Sequence, residues 1–197
     1  EKRFSHSINL LASYAYSKAI DDHEDMYGRT AAGNQYPLDP RNLRLERALS
    51  GQHIGQRLTY NMIFELPFGR GRALARQLPR VIDALVGGWD LSAIAAFYSG
   101  SPFSVQTSVD ACGCGLLTGS KRPNRLRDGN LPDGQRTIQR WYDPTAFAVP
   151  PSGTLGTSGR NVLFTSGTRS VNLSLMKNFA FRERWRLQFR AEAFNIA

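Results

Sequence analysis

The sequence lacks any long uninterrupted run of apolar residues, although 41% of its residues are hydrophobic. A transmembrane helix needs about 20 consecutive apolar residues, so we expect no helix of this chain to cross a membrane. Transmembrane strands are not excluded, because their side chains alternate between lipid and lumen and only every second one is apolar. The first residues also lack the apolar core of a signal peptide, so we interpret the chain as a fragment whose export signal lies elsewhere.

Cysteine and histidine are scarce, at two and three residues respectively. His6, His23 and His53 are isolated, with no partner at the spacing of a metal site or a catalytic triad. Cys112 and Cys114 have no two further thiolate or imidazole ligands nearby, which argues against a zinc site. We predict that they form a local disulfide or bond to cysteines outside this chain. We therefore expect no catalytic residue, no cofactor, no metal site and no enzymatic activity.

Lysine is also rare, so the net charge of +9 comes mainly from arginine. An excess of positive charge can indicate nucleic-acid binding. Here the arginines are spread along the chain, and no basic stretch is interleaved with aromatic residues. We expect no nucleic-acid partner, because arginines that line a barrel lumen or face anionic lipid explain the charge better. The acidic segment 21–25 lacks the spacing of a calcium loop and is interpreted as a solvated loop.

What the sequence does contain is alternation of apolar and polar residues. In residues 4–16 most even positions are apolar or aromatic, whereas most odd positions are small or polar. A period of two predicts β-strands, and aromatic residues at both ends of the apolar face are typical of two membrane interfaces. The same pattern returns four times. The predicted strands are 4–16, 54–66, 89–99, 169–179 and 185–195.

Strand length separates a membrane barrel from a soluble sheet. A strand of about 11 residues tilted by about 45° spans roughly 25 Å, the height of the apolar band of an outer-membrane barrel. Strands of soluble proteins average about five or six residues. We predict an all-β fold: one partial barrel domain over residues 1–197, an antiparallel transmembrane β-barrel segment of five meandering strands that is too small to close. A soluble antiparallel sheet with one wet face remains the alternative.

The connections between the predicted strands alternate between long and shorter. Residues 18–53 and 108–167 are predicted as long loops, an alternation typical of extracellular loops and periplasmic turns. The connection between the second and third strands contains a predicted short helix, which lies at the membrane interface or packs against the end of the barrel. A proline suited to the first turn, Pro79, and two glycines suited to the end of the helix, Gly87 and Gly88, accompany apolar residues at helical spacing. The apolar residues are Leu74, Leu78, Val81, Ile82, Leu85 and Val86.

Several charged residues fall on the polar side of the predicted strands. An arginine that faces lipid at mid-depth costs roughly 2–4 kcal/mol, so these residues are predicted to face the lumen. We interpret them as structural ion pairs or plug contacts rather than as a transport path. Lys177 falls on the apolar side near a strand end, where it can extend to water. The lumen-facing candidates are Arg57, Glu65, Asp90, Arg186, Arg190 and Glu192.

Residues 14–22, Tyr-Ala-Tyr-Ser-Lys-Ala-Ile-Asp-Asp, resemble a strand-to-loop junction of Oar-like TonB-dependent receptors. The resemblance covers nearly the whole chain, since further motifs follow in the family's order. Residues 52–58 depart from it, because relatives have a denser Arg-His-Arg-Phe-like run there. The further matching motifs are 64–71, 87–89, 99–103, 122–125, 141–147, 159–161, 173–179 and 190–195.

This resemblance implies a large barrel of the bacterial outer membrane with an N-terminal plug. The fragment would supply late barrel strands and two extracellular loops that face an unidentified ligand. Its partners would be outer-membrane lipid and, through parts of the parent protein outside this chain, the plug and the TonB system. Two other functions remain open: an outer-membrane adhesion or assembly protein without transport, and a soluble β-rich carbohydrate-binding domain.

Overall fold

The computed structural model describes residues 2–4, 7–23, 36–70, 72, 74–75, 77–116, 120–181 and 185–196. No helix within these ranges is long and apolar enough to span a membrane. The described helical elements are α1 (Arg80–Val86) and 3-10 turns at Leu43–Glu46, Asp133–Gln135 and Pro144–Ala146. The described strands are β1 (Lys2–Phe4), β2 (Ile8–Tyr16), β3 (Ile20–Asp21), β4 (Ala48–Leu49), β5 (Gln56–Glu65), β6 (Trp89–Tyr98), β7 (Pro102–Phe103), β8 (Asn124–Arg125), β9 (Phe147–Ala148), β10 (Leu163–Phe164), β11 (Thr168–Phe181) and β12 (Trp185–Ala193).

The chain divides into two compact units. The first, which we call the strand unit, comprises Glu1–Ala15, Gln56–Tyr98 and Thr168–Ala197. The second, which we call the loop unit, comprises Tyr16–Gly55 and Ser99–Gly167. The loop unit therefore contains both of the connections that the sequence predicts to be long.

The described strands of the strand unit form one antiparallel sheet with the order β1-β2-β5-β6-β11-β12. Each strand lies beside the strand that follows it within this unit, as in a meander. The ladder between β5 and β6 runs from Arg57 opposite Tyr98 to Glu65 opposite Asp90. Strand β11 pairs with the whole of β6 and then with β12. The predicted all-β antiparallel fold is confirmed, and the sheet ends at β1 and β12 without closing into a barrel.

The strands β5, β6, β11 and β12 match the predicted strands within two residues at each end. The first predicted strand, 4–16, is wrong as an unbroken element, because the chain reverses direction between β1 and β2 and Phe4 pairs with Ile8. A period of two continues through such a reversal, so the pattern alone does not reveal it. Ser5, His6 and the side chain of Phe4 lie outside the described residues.

The buried apolar side chains of the described residues lie in the loop unit rather than in the sheet. On β2, Ile8 is 37% exposed and Tyr14 is 61% exposed. A soluble antiparallel sheet packs one face on a core, whereas the outward face of a transmembrane barrel is covered by lipid. This distribution argues against the soluble-sheet alternative. The buried apolar residues are Leu38, Leu131, Ala146 and Leu163.

The described parts of the two long connections are folded. In the described part of the loop unit, β3 pairs with β4, β7 with β10 and β8 with β9. Such pairing over long connections is typical of functional loops, because structureless loops of this length are uncommon in ordered proteins.

Helix α1 begins later than the helical spacing from Leu74 predicts. Pro79 occupies the N-cap position, and the N–H of Gly87 donates a hydrogen bond to the Asp83 carbonyl at the other end. Proline is tolerated only at the start of a helix, so the apolar residues before it cannot continue the same helix. Leu74 instead forms a β-bridge with Phe68.

Candidate functional site

The predicted lumen-facing residues whose side chains the structure describes lie on one face of the sheet. The register aligns Glu65, Asp90, Met176 and Arg190 in one row across β5, β6, β11 and β12. Because side chains two residues apart in a strand share a face, the register also places Arg57 and Glu192 on this side. We call it the charged face. The Arg186 side chain lies outside the described residues. That this face lines a lumen stays a prediction.

Ion pairs and ring contacts on the charged face are local. Arg190 Nη1 lies 3.8 Å from Glu192 Oε1 on the same strand, and the Arg57 guanidinium lies 5.1 Å from the ring centroid of Tyr98, its partner across the ladder. Like charges directly opposite each other destabilise a sheet, as Glu65 and Asp90 do here.

The β5–β6 connection supplies a counter-charge to this acidic pair. Arg72 forms an ion pair with Glu65 at the end of β5. Arg72 could not be identified from the sequence, because it lies in a connection, where no alternation indicates to which face a side chain points.

The opposite face of the sheet, which we call the apolar face, carries a buried lysine. Lys177 is 3% exposed, and its Nζ donates a hydrogen bond of 2.5 Å to the carbonyl of Gly87. The same ammonium lies 5.3 Å from the ring centroid of Trp89 and 5.1 Å from that of Phe179. The expectation that Lys177 extends to water is wrong, because a carbonyl and two aromatic rings surround its charge instead.

The two long connections are joined by buried ion pairs within the loop unit. Glu46 and Arg122 are each 2% exposed and form a salt bridge. Arg160 donates from Nε to the Glu46 carbonyl at 2.9 Å and pairs with Asp21. The remaining carboxylate oxygen of Glu46 accepts from the N–H of Leu38 at 2.9 Å. Glu46 is therefore satisfied on both oxygens, as a buried charge requires.

These contacts correct part of the interpretation of the acidic segment 21–25. Asp21 is half-buried, and its carboxylate pairs with the buried guanidinium of Arg160, so it is only partly solvated. Asp22 and His23 are exposed, whereas residues 24 and 25 lie outside the described ranges. His53 is 7% exposed, and its Nδ1 accepts from the N–H of Ala19 at 3.2 Å, so its ring supports the backbone.

The cysteine pair lies in a tight loop of the loop unit. Cys112 and Cys114 form a disulfide, with their Cα atoms 5.2 Å apart. Asp110 lies beside them and accepts hydrogen bonds from the N–H groups of Gly115 at 2.8 Å and Leu116 at 3.2 Å. Since the thiolate is the form of cysteine that binds metals, both sulfurs are occupied in this state.

An aromatic cavity opens on the loop unit. It measures about 430 Å³ and is lined by Phe103, Trp141, Tyr142, Thr165 and Ser166. Phe103 ends β7, and its ring meets Tyr142 edge to face at 6.5 Å. We call this the aromatic cavity. Residues 141–147 form one of the motifs shared with Oar-like receptors, but no pattern in the sequence predicts a binding site there.

The rings of the aromatic cavity are held in place by their neighbours. Trp141 Nε1 donates to the carbonyl of Phe164 at 2.8 Å, and the Arg136 guanidinium lies 5.7 Å from the indole centroid. Tyr142 also meets Phe147 edge to face at 6.2 Å. Such ring pairs fix side-chain orientation in addition to burying area, so the cavity is preformed.

Asp143 anchors the chain directly after Tyr142. Its Oδ1 accepts from the N–H of Thr145 at 3.1 Å, and its Oδ2 accepts from Arg127 Nη2 at 2.7 Å. Hydrogen bonds from the Thr145 hydroxyl and from Arg127 hold the pKa of Asp143 below its ordinary value.

The comparisons with known proteins agree with this architecture. A family model described as an outer membrane beta barrel domain matches residues 1–197. No curated protein and no solved structure matches the chain. The match covers the charged face, the apolar face and the loop unit alike. The chain therefore belongs to the outer membrane beta barrel domain family, which places it in the bacterial outer membrane.

Proposed function

We propose that this chain supplies late barrel strands and ligand-facing loops of a TonB-dependent receptor that imports its ligand. The observation that carries the proposal is the folded loop unit with its preformed aromatic cavity. A barrel that served only as a passive pore would not need a loop structure with its own buried core and ligand-sized cavity. The order of motifs shared with Oar-like receptors supports the same function.

The connectivity supports an extracellular position for the loop unit. Both of its segments leave from the same ends of the strands: one joins β2 to β5, and the other joins β6 to β11. The shorter connections, β5 to β6 and β11 to β12, lie at the opposite strand ends. Outer-membrane barrels have long extracellular loops and short periplasmic turns, so we assign both segments of the loop unit to the extracellular side.

The lining of the cavity indicates the chemistry of a ligand. Its volume of about 430 Å³ lies in the range of small-molecule sites, which combine apolar walls with a few polar groups. The described lining residues comprise three aromatic and two hydroxyl-bearing side chains, and none of these five is charged. A neutral group with an apolar surface, such as a sugar ring or an uncharged aromatic ring, fits this lining. The charged face would then line the lumen and contact a plug.

The proposal is tested by uptake into cells that carry the full-length parent protein. The probes are a radiolabelled maltooligosaccharide, which suits the neutral lining, and two charged comparators, a radiolabelled ferric catecholate siderophore and a radiolabelled tripeptide. Each probe is offered separately to cells with and without a working TonB system. Receptor function predicts that one probe binds in both strains and accumulates inside only when TonB works. Binding without accumulation in either strain would support adhesion or assembly, and equal accumulation in both would indicate a passive pore.

A further inference from the structure

Helix α1 exposes an unusually apolar surface. Val81 is 75% exposed and Leu85 is 66% exposed, while Ile82 and Val86 are 45% and 43% exposed. At 3.6 residues per turn these four side chains fall within an arc of about 140°. A helix on the surface of a soluble protein turns such an arc toward the core. In this helix the four side chains of the arc are exposed instead, so the arc needs a partner that covers it.

The end of α1 is tied to the apolar face of the sheet. Trp89 Nε1 donates to the Leu85 carbonyl at 2.9 Å, and Lys177 Nζ donates to the Gly87 carbonyl. Trp89 and Lys177 are cross-strand partners on that face. The helix therefore leaves the sheet on the side that a membrane barrel presents to lipid, away from the charged face.

The rings of Trp89, Phe179 and Phe189 lie near this end of the apolar face, and we call them the aromatic belt. Trp89 meets Phe189 edge to face at 5.8 Å, and Phe179 lies beside Lys177. Aromatic and cationic residues of this kind are enriched where a transmembrane element reaches the headgroup level. The α1 end of the sheet thus has the composition of a membrane–water boundary.

The other side of α1 is fixed to the connection that precedes it. Asp83 Oδ1 accepts from the N–H of Arg70 at 2.7 Å, and Arg70 Nε donates to the Leu78 carbonyl at 3.1 Å. A Cβ atom on Gly69 would lie 2.8 Å from the Gly87 Cα, so the two glycines permit this close approach. These contacts hold the polar side of α1 inward and leave the apolar arc directed outward.

We propose that α1 is an interfacial anchor that inserts its apolar arc into the boundary between headgroups and acyl chains of a phospholipid leaflet. Continuity with the apolar face and its aromatic belt selects lipid as the partner rather than another protein chain. Helices with one apolar face bury it by about 5–10 Å in this boundary. The anchor fixes the depth of the barrel at the end with the shorter connections. The inference requires the barrel family alone, and it holds whether or not the parent protein transports a ligand.

The test uses the full-length parent protein in vesicles of phosphatidylethanolamine and phosphatidylglycerol, with a nitroxide label at one position at a time. The variants are Val81→Cys and Leu85→Cys, and the matched control is Ala84→Cys, which lies on α1 outside the apolar arc and is exposed. Power-saturation spectra measure collisions with oxygen, which concentrates in lipid, and with a nickel chelate, which stays in water. We expect the oxygen-to-nickel ratio at positions 81 and 85 to exceed that at position 84 several-fold.

Two results would overturn the proposal. Nickel access at positions 81 and 85 equal to that at position 84 would place the arc in water. Exclusion of both reagents from positions 81 and 85 would show that protein covers the arc. Heat-modifiable gel mobility of each labelled variant confirms that the barrel has assembled, so a folding failure is recognised separately. Ligand uptake does not enter this measurement, so its outcome is independent of the TonB test.

Discussion

Lys177 on β11 lies directly opposite Trp89 on β6, and each donates a hydrogen bond to a backbone carbonyl at the end of α1. Carbonyls in the last turn of a helix have no partner within the helix. These two side chains therefore satisfy groups that would otherwise lack a bond in a water-poor environment. The pair joins the sheet, the helix and the apolar face at one place.

Replacement of Trp89 by phenylalanine tests the indole hydrogen bond to Leu85. Trp89→Phe keeps the aromatic ring but removes the donor, so we expect the free energy of unfolding to fall by about 1 kcal/mol. Trp89→Ala also removes the ring contact with Phe189 and should cost about 3–5 kcal/mol. The measurement is the urea midpoint of the heat-modifiable folded band of the full-length protein. An unchanged free energy of unfolding in Trp89→Phe would contradict the contribution of the indole N–H, and equal losses in the two variants would contradict a separate contribution of the ring.

The buried pair of Glu46 and Arg122 predicts a large effect when one partner is removed. The Glu46 carboxylate lies beside the buried guanidinium groups of both Arg122 and Arg160. Glu46→Ala removes this shared carboxylate and should destabilise the loop unit by about 3–5 kcal/mol. The double variant Glu46→Leu with Arg122→Met removes both partners and should lose less. Limited proteolysis within the loop unit measures the difference. A double variant cleaved faster than the single variant would contradict the ion pair as the main contact.

The aromatic cavity predicts that a bulky residue at its mouth blocks ligand binding. Ser166 is exposed and lines the cavity. Ser166→Trp should reduce binding of the accepted probe to cells by at least about tenfold, which corresponds to 1.4 kcal/mol. Ser166→Ala is the matched control and should bind normally. Normal binding by the tryptophan variant would place the ligand site elsewhere.

Acid is expected to loosen the segment around Asp143. The pKa of this carboxyl is held below its ordinary value of 3.8 in the folded protein by hydrogen bonds from Thr145 and Arg127. A lowered pKa contributes stability that is present above the unfolded value and lost as pH falls through the folded value. Pepsin digestion between pH 5 and pH 2 should therefore show cuts in residues 125–147 that increase only below about pH 4.

Asp143→Asn supplies the control for this pH dependence. The variant has no charge to lose, so its cleavage in residues 125–147 should be less dependent on pH over the same window. Asp128 also contributes to the loss of stability in acid, since hydrogen bonds from the Asn130 backbone and side chain lower the pKa of its carboxyl. Cleavage in residues 125–147 that is already at its maximum at pH 5 would indicate a different titrating group.

The sequence alone determined the sheet of the strand unit and the division of its residues between two faces. Alternation is a local property, because side chains of a strand point to opposite faces in turn. This alternation predicts the bounds of β5, β6, β11 and β12 to within two residues. It also predicts that Glu65, Asp90 and Arg190 share a face. The antiparallel pairing of β1 with β2 does not follow, since the alternation of the sequence continues from one strand into the other.

Only the tertiary structure decided which residues of the long connections meet. Arg122 and Glu46 are 76 residues apart, and Arg160 donates to a carbonyl 114 residues away. No local period encodes such contacts, because they depend on how two long segments fold against each other and close their loops. The aromatic cavity arises in the same way. Lys177 shows this limit within a strand: alternation placed it on the apolar face, but only the folded Gly87 carbonyl explains how its charge is satisfied there.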